Sequence, residues 1–183
     1  MSEVRTPFMV RRASVEDGVA LAELGARTFI ETYAAENTAR DMAAYVASSF
    51  SPDRQARQLI DPAYRYLVAE AAGRLVGYLL LRTGEAPACV DGSMPVELAR
   101  LYVERAWQGR GVAAALMAAG LSEAEGMGAR TLWLGVWERN ARAIRFYERH
   151  GLRRVGFHTF QLGDDIQVDD VMARPVRAAD PTG

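Results

Sequence analysis

Cysteine is almost missing from this chain: Cys89 is the single one in 183 residues, which excludes an intramolecular disulfide. Histidine is nearly as scarce, with only His150 and His158, and no cluster of ligand-type residues accompanies either, so no metal site is expected. An excess of positive charge is absent as well. Lysine plus arginine number 22 against 23 acidic residues, a formal net charge of -1, so no global field draws nucleic acid phosphates. Long apolar runs are lacking too: the opening MSEVRTPFMVRRAS holds no signal-like stretch, and no later segment approaches the length that crosses a bilayer. These absences together predict a cytoplasmic protein in a reducing setting, with neither nucleic acid nor membrane as partner.

What is present is the composition of a folded protein, half hydrophobic and one quarter charged. No repeat and no low-complexity linker divides it, so residues 1–183 read as a single domain with a core of about 8–176. Only the first residues and the tail AADPTG read as loosely ordered.

After a short apolar start at Phe8 to Val10, Ser14 precedes Glu16 and Asp17, an N-cap with acidic first-turn residues, and predicts a helix to about Tyr33. A second helical stretch covers Ala39 to Ser48. Ser51 then caps a helix opening with Pro52, which Asp61-Pro62 ends. From Tyr64 the pattern changes to two apolar runs separated by Ala72-Gly73, the signal of a β-hairpin, and a further strand, VELARLYV, follows. Next come a Gly-rich turn, an Ala-rich helix from about Gly111 to Glu125, the strand TLWLGVW, a helix from Asn140 to His150 stopped by Gly151, and a strand near Arg153 to His158. With the helical first third counted as two units, the order is α, α, β, β, β, α, β, α, β. This places the chain in the mixed α/β class, with a sheet antiparallel early, crossover helices later, and helices on both faces.

The sharpest local feature is Gln108-Gly109-Arg110-Gly111-Val112-Ala113, between a strand ending near Val103 and the Ala-rich helix. Glycines let backbone approach a ligand, the N–H groups of a first helical turn attract phosphate oxygens, and Arg110 adds charge. A bare strand-to-helix joint is the alternative reading. Both the full G-x-G-x-x-G series and a Gly-Lys-Ser/Thr ending are missing, so the loop suits a pyrophosphate held mainly by backbone.

Gln108-x-x-Gly111-x-Ala113 resembles the Q/R-x-x-G-x-G/A signature of the GNAT N-acetyltransferases. Downstream, LWLGVWERNARAIRFYERHGLRRVG resembles the second conserved block of that family. TFIETYAAENTARDMAAYVASSF and FHTFQLGDDIQVDDVMARPV look like segments of PaiA-like spermidine/spermine N-acetyltransferases. The resemblance covers about residues 10 to 176. It implies the GNAT fold, a central mixed but mostly antiparallel sheet flanked by helices, and acetyl-CoA as co-substrate without a metal. It also implies a cofactor site at Leu101, Tyr102, Val103, Gln108, Gly109, Arg110, Gly111, Val112, Ala113, Asn140 and Tyr147. Asn140 would contact the pantetheine arm, and a backbone N–H among Leu101 to Val103 would stabilise the thioester oxygen.

Acetyl transfer needs a neutral amine, yet an alkyl ammonium titrates near a pKa of about 10.4, so a base near the site helps. Glu97, heading the VELARLYV strand, is the candidate base, with Ala99, Leu101 and Val103 expected on its face. Equally, it could pair with Arg100 or Arg82. The departing thiolate belongs to a thiol of pKa roughly 8.5, so a hydroxyl that protonates it lowers the barrier. Tyr147 is the candidate acid, two helical turns after Asn140 on nearly the same face; packing against the sheet is its other reading.

Phe29, Glu31 and Tyr33, with Glu36, form an aromatic and acidic set where the family places its acceptor, suited to a small-molecule amine such as a polyamine. Phe29 and Tyr33, four apart on an amphipathic helix, equally suit a core. Asp164, Asp165, Asp169 and Asp170 read as a solvated acidic turn. Trp107 and Trp137 suit either the cofactor cleft or the core. Cys89 lies outside both motifs, so direct attack in a ternary complex is expected. Alternative functions are acetylation of a protein N-terminus, lysine, amino acid or antibiotic, or non-catalytic acetyl-CoA sensing. Many relatives pair, and a homodimer is among the assemblies open to the chain.

Overall fold

The computed structural model describes residues 7–162 and 165–176. Strand β1 (Met9–Arg12) leads through a 3-10 turn at Val15–Asp17 into helices α1 (Gly18–Tyr33), α2 (Ala39–Ser49) and α3 (Pro52–Ile60). Strands β2 (Tyr64–Ala71), β3 (Arg74–Thr83) and β4 (Pro95–Val103) follow. Helix α4 (Val112–Gly126), strand β5 (Thr131–Trp137), helix α5 (Ala141–Arg149), and strands β6 (Arg153–Leu162) and β7 (Asp165–Pro175) complete the order.

The helix ends are where the side-chain chemistry placed them. The Asp17 carboxylate accepts from the Ser14 N–H at 2.7 Å and from two nitrogens of Arg11 at 2.8 and 2.9 Å, tying the start of α1 to β1. Thr38 and Ser51 accept from the N–H groups of Asp41 and Arg54, capping α2 and α3. Two elements go beyond the predicted order. The apolar start is a true edge strand, and the stretch after His158 continues as β6 and then returns as β7.

The seven strands run β1-β2-β3-β4-β5-β7-β6, all neighbours antiparallel except the parallel pair β4–β5. Leu116 and Met117 of α4, with Tyr147 of α5, cover one face through Leu79, Leu81, Leu98 and Leu134. Leu21 and Leu24 of α1 cover the other through Tyr66, Val68, Tyr78 and Leu80, and Phe29, Met42 and Phe50 join α1 to α2. Each buried leucine contributes about 1.5–3 kcal/mol, so these layers hold the sheet between its helices.

One irregularity positions everything that follows. Leu80 pairs with Arg100 but Leu81 pairs with Leu98, leaving Ala99 as an extra residue in β4. The bulge reverses the facing of β4: Val96 and Leu98, then Leu101 and Val103, join the α4 side, while Ala99 and Tyr102 join the α1 side. Glu97 therefore does not share a face with Leu101 and Val103, as strict alternation had implied. The bulge also separates β4 from β5, whose pairing is limited to Pro95–Glu97 with Thr131–Trp133. Beyond that point β5 follows β7 and β4 follows β3, and the sheet opens into a gap.

Candidate active site

A cleft of about 340 Å³ lies on the α4 side of the gap. Leu101 and Val103 supply its strand wall, Gln108, Gly109, Gly111, Ala113 and Ala114 its loop and helix start, and Ala143, Phe146 and Tyr147 its α5 wall. Gly109 and Gly111 have φ values of 75° and 88°, left-handed conformations that favour glycine, and open space surrounds the position of any added Cβ. Gly111 caps α4 without a side-chain hydrogen bond, leaving the first-turn N–H groups available to an anion. Arg142 and Arg149 also line the cleft and are its charged side chains.

Gln108 holds this cleft together. Its amide nitrogen donates to the Val103 carbonyl at 3.2 Å, and its oxygen accepts from Arg142 at 2.6 Å, linking the end of β4 to α5. Three expected cofactor contacts, two from the loop and one from β4, point elsewhere. Val112 is the first helical residue and turns into the core at 1% exposure. Arg110 lies over the Trp107 ring, which itself packs edge-on against Phe8. Tyr102 faces α1 because of the bulge. Arg142, Phe146 and Arg149 went unnoticed in the sequence; their own i, i+4, i+7 spacing along α5, which sets them on one helix face, was the signal that could have found them.

A second cleft, of about 100 Å³, opens on the α1 side of the same gap. Phe29 and Tyr33 of α1, Tyr45 of α2, Tyr102 of β4 and Trp137 of β5 form its aromatic walls, and Ala99 and Gly135 its floor. Gln167 and Asp169 of β7 complete it. Phe29 stacks on Tyr45 with centroids 4.4 Å apart, and Tyr33 meets Trp137 edge-on at 6.0 Å. Gln167 donates to Asn37 at 2.6 Å, and Asn37 donates to the Tyr33 carbonyl at 2.8 Å, anchoring the end of α1 to β7.

Tyr33 of the second cleft lies near enough to influence Tyr147 of the first. Burial, reinforced by proximity to Tyr33, raises the Tyr147 pKa, so its hydroxyl stays protonated at neutral pH. Tyr33 is pushed up to about 12, first by burial and then by the negative charge of Asp169. The nearby Asn140 side chain partly opposes this. Asn140 also caps α5, its side-chain oxygen accepting from the Ala143 N–H at 3.1 Å. It thus stands between the clefts rather than along the wall of the first.

Two acidic expectations are corrected. Glu97 lines neither cleft; Arg82 donates to its carboxylate through Nε at 2.8 Å, the paired arrangement of a strand end. Glu31 sits with Arg27 and Glu104 in a separate shallow depression, because it is two residues from both Phe29 and Tyr33 and so points away from their side of α1. Glu36 faces Arg139 at 3.7 Å on the surface. Conversely, Asp169 and Asp170 are not in a solvated turn. Both lie within β7, Asp169 in the aromatic cleft and Asp170 paired with Arg154 at 2.8 Å. Asp165 opens β7, and Asp164 and the tail AADPTG lie outside the described residues.

Among the described residues, no group of His, Cys, Asp and Glu side chains could hold a metal ion, and no helix is long and apolar enough to cross a membrane.

The sequence is 38% identical over 158 residues to an uncharacterised N-acetyltransferase of Mycobacterium bovis, covering 86% of this chain and 97% of that one. An uncharacterised N-acetyltransferase of Lactobacillus delbrueckii subsp. lactis is 28% identical over 92% of this chain and 98% of its own. Among solved structures, the PaiA N-acetyltransferase of Thermoplasma acidophilum in complex with coenzyme A superposes with a TM-score of 0.73. It is 18% identical, over 92% of this chain and 99% of that one, a likeness of fold. The model of the acetyltransferase (GNAT) family matches residues 22–152, the span that carries both clefts' helices and the gap between β4 and β5. The chain belongs to the GNAT family of acetyltransferases.

Proposed function

We propose that the protein transfers the acetyl group of acetyl-CoA to a primary amine on an aliphatic arm, such as spermidine, by direct attack in a ternary complex. The observation that carries this reading is the pair of clefts, one lined by arginines and one by a carboxylate, that open onto a single gap in the sheet, with Tyr33 of one near enough to influence Tyr147 of the other.

The first cleft suits acetyl-CoA in its chemistry. The uncapped start of α4, Gly109 and Gly111, and the cations Arg142 and Arg149 suit phosphate oxygens. Leu101, Val103, Ala143 and Phe146 offer apolar cover to a pantetheine arm. Coenzyme A in the Thermoplasma acidophilum structure of like fold supports the same ligand here. When bound, acetyl-CoA supplies a thioester carbon open to attack by an amine.

The chain's own groups do the rest. Beyond Glu97, no described strand pairs with the β5-facing edge of β4, so backbone N–H groups among Leu101 to Val103 can stabilise the charge growing on the carbonyl oxygen. Tyr147, held protonated by burial, donates its proton to the departing sulfur. The aromatic walls of the second cleft receive an ammonium or its neutral amine by ring-face attraction. Cys89 lies against Gly156 of β6, in neither cleft, which supports direct attack over an acyl-cysteine route.

Calorimetric titration with acetyl-CoA, followed by thiol release with spermidine, lysine peptides and amino acids, tests this. Binding with spermidine-dependent thiol release is the expected outcome. Binding with release only on another amine would move the acceptor, and absence of binding would overturn the assignment.

A further inference from the structure

We propose that Asp169 is the base that takes the proton from the acceptor amine and that His158 carries it to solvent, which makes the second cleft selective for amines with no carboxylate beside the nitrogen. This rests on the reading of that cleft as the acceptor site.

The geometry comes from the sheet. Trp137 of β5 is the Cα partner of Asp169 on β7, and Asp169 is the Cα partner of His158 on β6. The three side chains therefore form one row across three strands, on the face that carries the cleft. The Asp169 side chain is 14% exposed, and its Oδ2 lies 3.8 Å from Nε2 of His158. That nitrogen is buried and makes no hydrogen bond among the described residues, while the ring is 34% exposed, so the rest of the imidazole reaches solvent. One edge of His158 thus faces the carboxylate and another faces water.

Gly135 makes room for the pair. A Cβ there would come within 2.6 Å of His158 Nε2 and 3.2 Å of Asp169 Oδ2, so a side chain at this floor position of the cleft would displace both groups. Among the described residues, Asp169 is the only charged side chain lining the cleft. The groups facing it are His158 on β6, Tyr33 on α1, Tyr45 on α2 and Tyr102 on β4, with Asp170 adjacent on β7. Burial raises its pKa, Asp170 adds to the rise, and His158 opposes it. The same dry, aromatic surroundings disfavour an ammonium, so the proton affinities of amine and carboxylate move toward each other.

The proton and electron accounting closes. The ammonium gives one proton to Asp169, which passes it to His158 and water. The freed lone pair forms the C–N bond, the C–S bond breaks with its electron pair left on sulfur, and Tyr147 protonates that sulfur. The second nitrogen proton restores Tyr147, so one proton is released per turnover. An acceptor carboxylate would face Asp169 and ring faces with no lining cation to pair with.

The test compares the wild type with Asp169→Asn, His158→Gln and Gly135→Ala, the last retaining every titratable group. Thiol release is measured against pH with spermidine, n-butylamine, a lysine peptide and glycine. Asp169→Asn is expected to lower kcat/KM about 100-fold or more and to remove the acid limb of the wild-type profile, with acetyl-CoA affinity unchanged. His158→Gln should lower kcat and alter that limb without raising KM, and Gly135→Ala should lower kcat while binding acetyl-CoA normally. Glycine should be the poorest acceptor. A readout free of turnover is calorimetry of spermidine binding at mildly acidic pH in buffers of different ionisation enthalpy. The number of protons exchanged on binding should differ between the wild type and Asp169→Asn, because only the wild type has a titratable carboxylate facing the ammonium. Wild-type turnover with an Asp169→Asn variant of unaltered rate and pH profile would overturn this proposal alone. A wild type that binds acetyl-CoA but releases thiol with none of the four amines would overturn it together with the acceptor reading.

Discussion

Among the described residues, the cleft beside α4 is lined by Arg142 and Arg149 and by no carboxylate, whereas the cleft beneath α1 is lined by Asp169 and by no cation. The first is built largely from one continuous stretch, the end of β4, the glycine loop and the start of α4, closed by α5. The second draws on α1, α2, β4, β5 and β7, elements far apart in the chain. A site made of backbone N–H groups and glycine conformations needs a local motif. A site made of ring faces and a single buried charge needs only that distant side chains converge, and any sheet position facing the gap can supply them.

The largest effect on this contrast should come from Gly111→Asp, which puts a side chain at a φ of 88° and a negative charge at the uncapped helix start. Acetyl-CoA affinity should fall about 100-fold or more, near 2.7 kcal/mol, by calorimetry, while spermidine binding to the other cleft is retained. Equal loss of both ligands would mean the clefts are not separable. Tyr147→Phe should lower kcat about 100-fold with KM for acetyl-CoA nearly unchanged, since it removes the hydroxyl proposed to protonate the leaving sulfur. Arg142→Glu should weaken acetyl-CoA about tenfold and reduce the salt dependence of its binding, leaving the acceptor KM as it was.

Smaller effects belong to the second cleft. Tyr33→Phe removes the hydroxyl that meets Asn140 and should raise the acceptor KM a few-fold, corresponding to about 1 kcal/mol. Thermal unfolding supplies a further contrast. Burial raises the folded-state pKa of Asp169 above its unfolded value, so its ionised form costs stability in full above the folded pKa, and the cost fades as pH falls from there and is absent below the unfolded value. Asp169→Asn should therefore raise Tm by about 2 °C at neutral pH and by less in acid, and a fall in Tm at neutral pH would mean the charge is held favourably.

The difference in construction explains what was legible beforehand. Caps at Ser14 and Ser51, the hairpin at Ala72-Gly73 and the glycine turn at Gln108–Ala113 are short-range devices, and all reappear in the structure, whereas the Thr38 cap of α2 was not foreseen. Tyr147 was found because seven residues on a helix return a side chain to nearly the same face. Glu97 and Asp169 show the limit. Alternation along β4 aligned Glu97 with Leu101, but Ala99 adds one residue and reverses the facing. The acidic run near Asp169 looked like a turn because nothing local shows that it pairs with β5 on one side and β6 on the other.

The sequence alone determined the fold class, the helix boundaries and the glycine turn before α4, since each depends on hydrogen bonds and dihedrals within a few residues. The tertiary structure decided the bulge in β4, the parting of β4 from β5, and the half-buried row of Trp137, Asp169 and His158, because strand register and burial are set by partners distant in the chain.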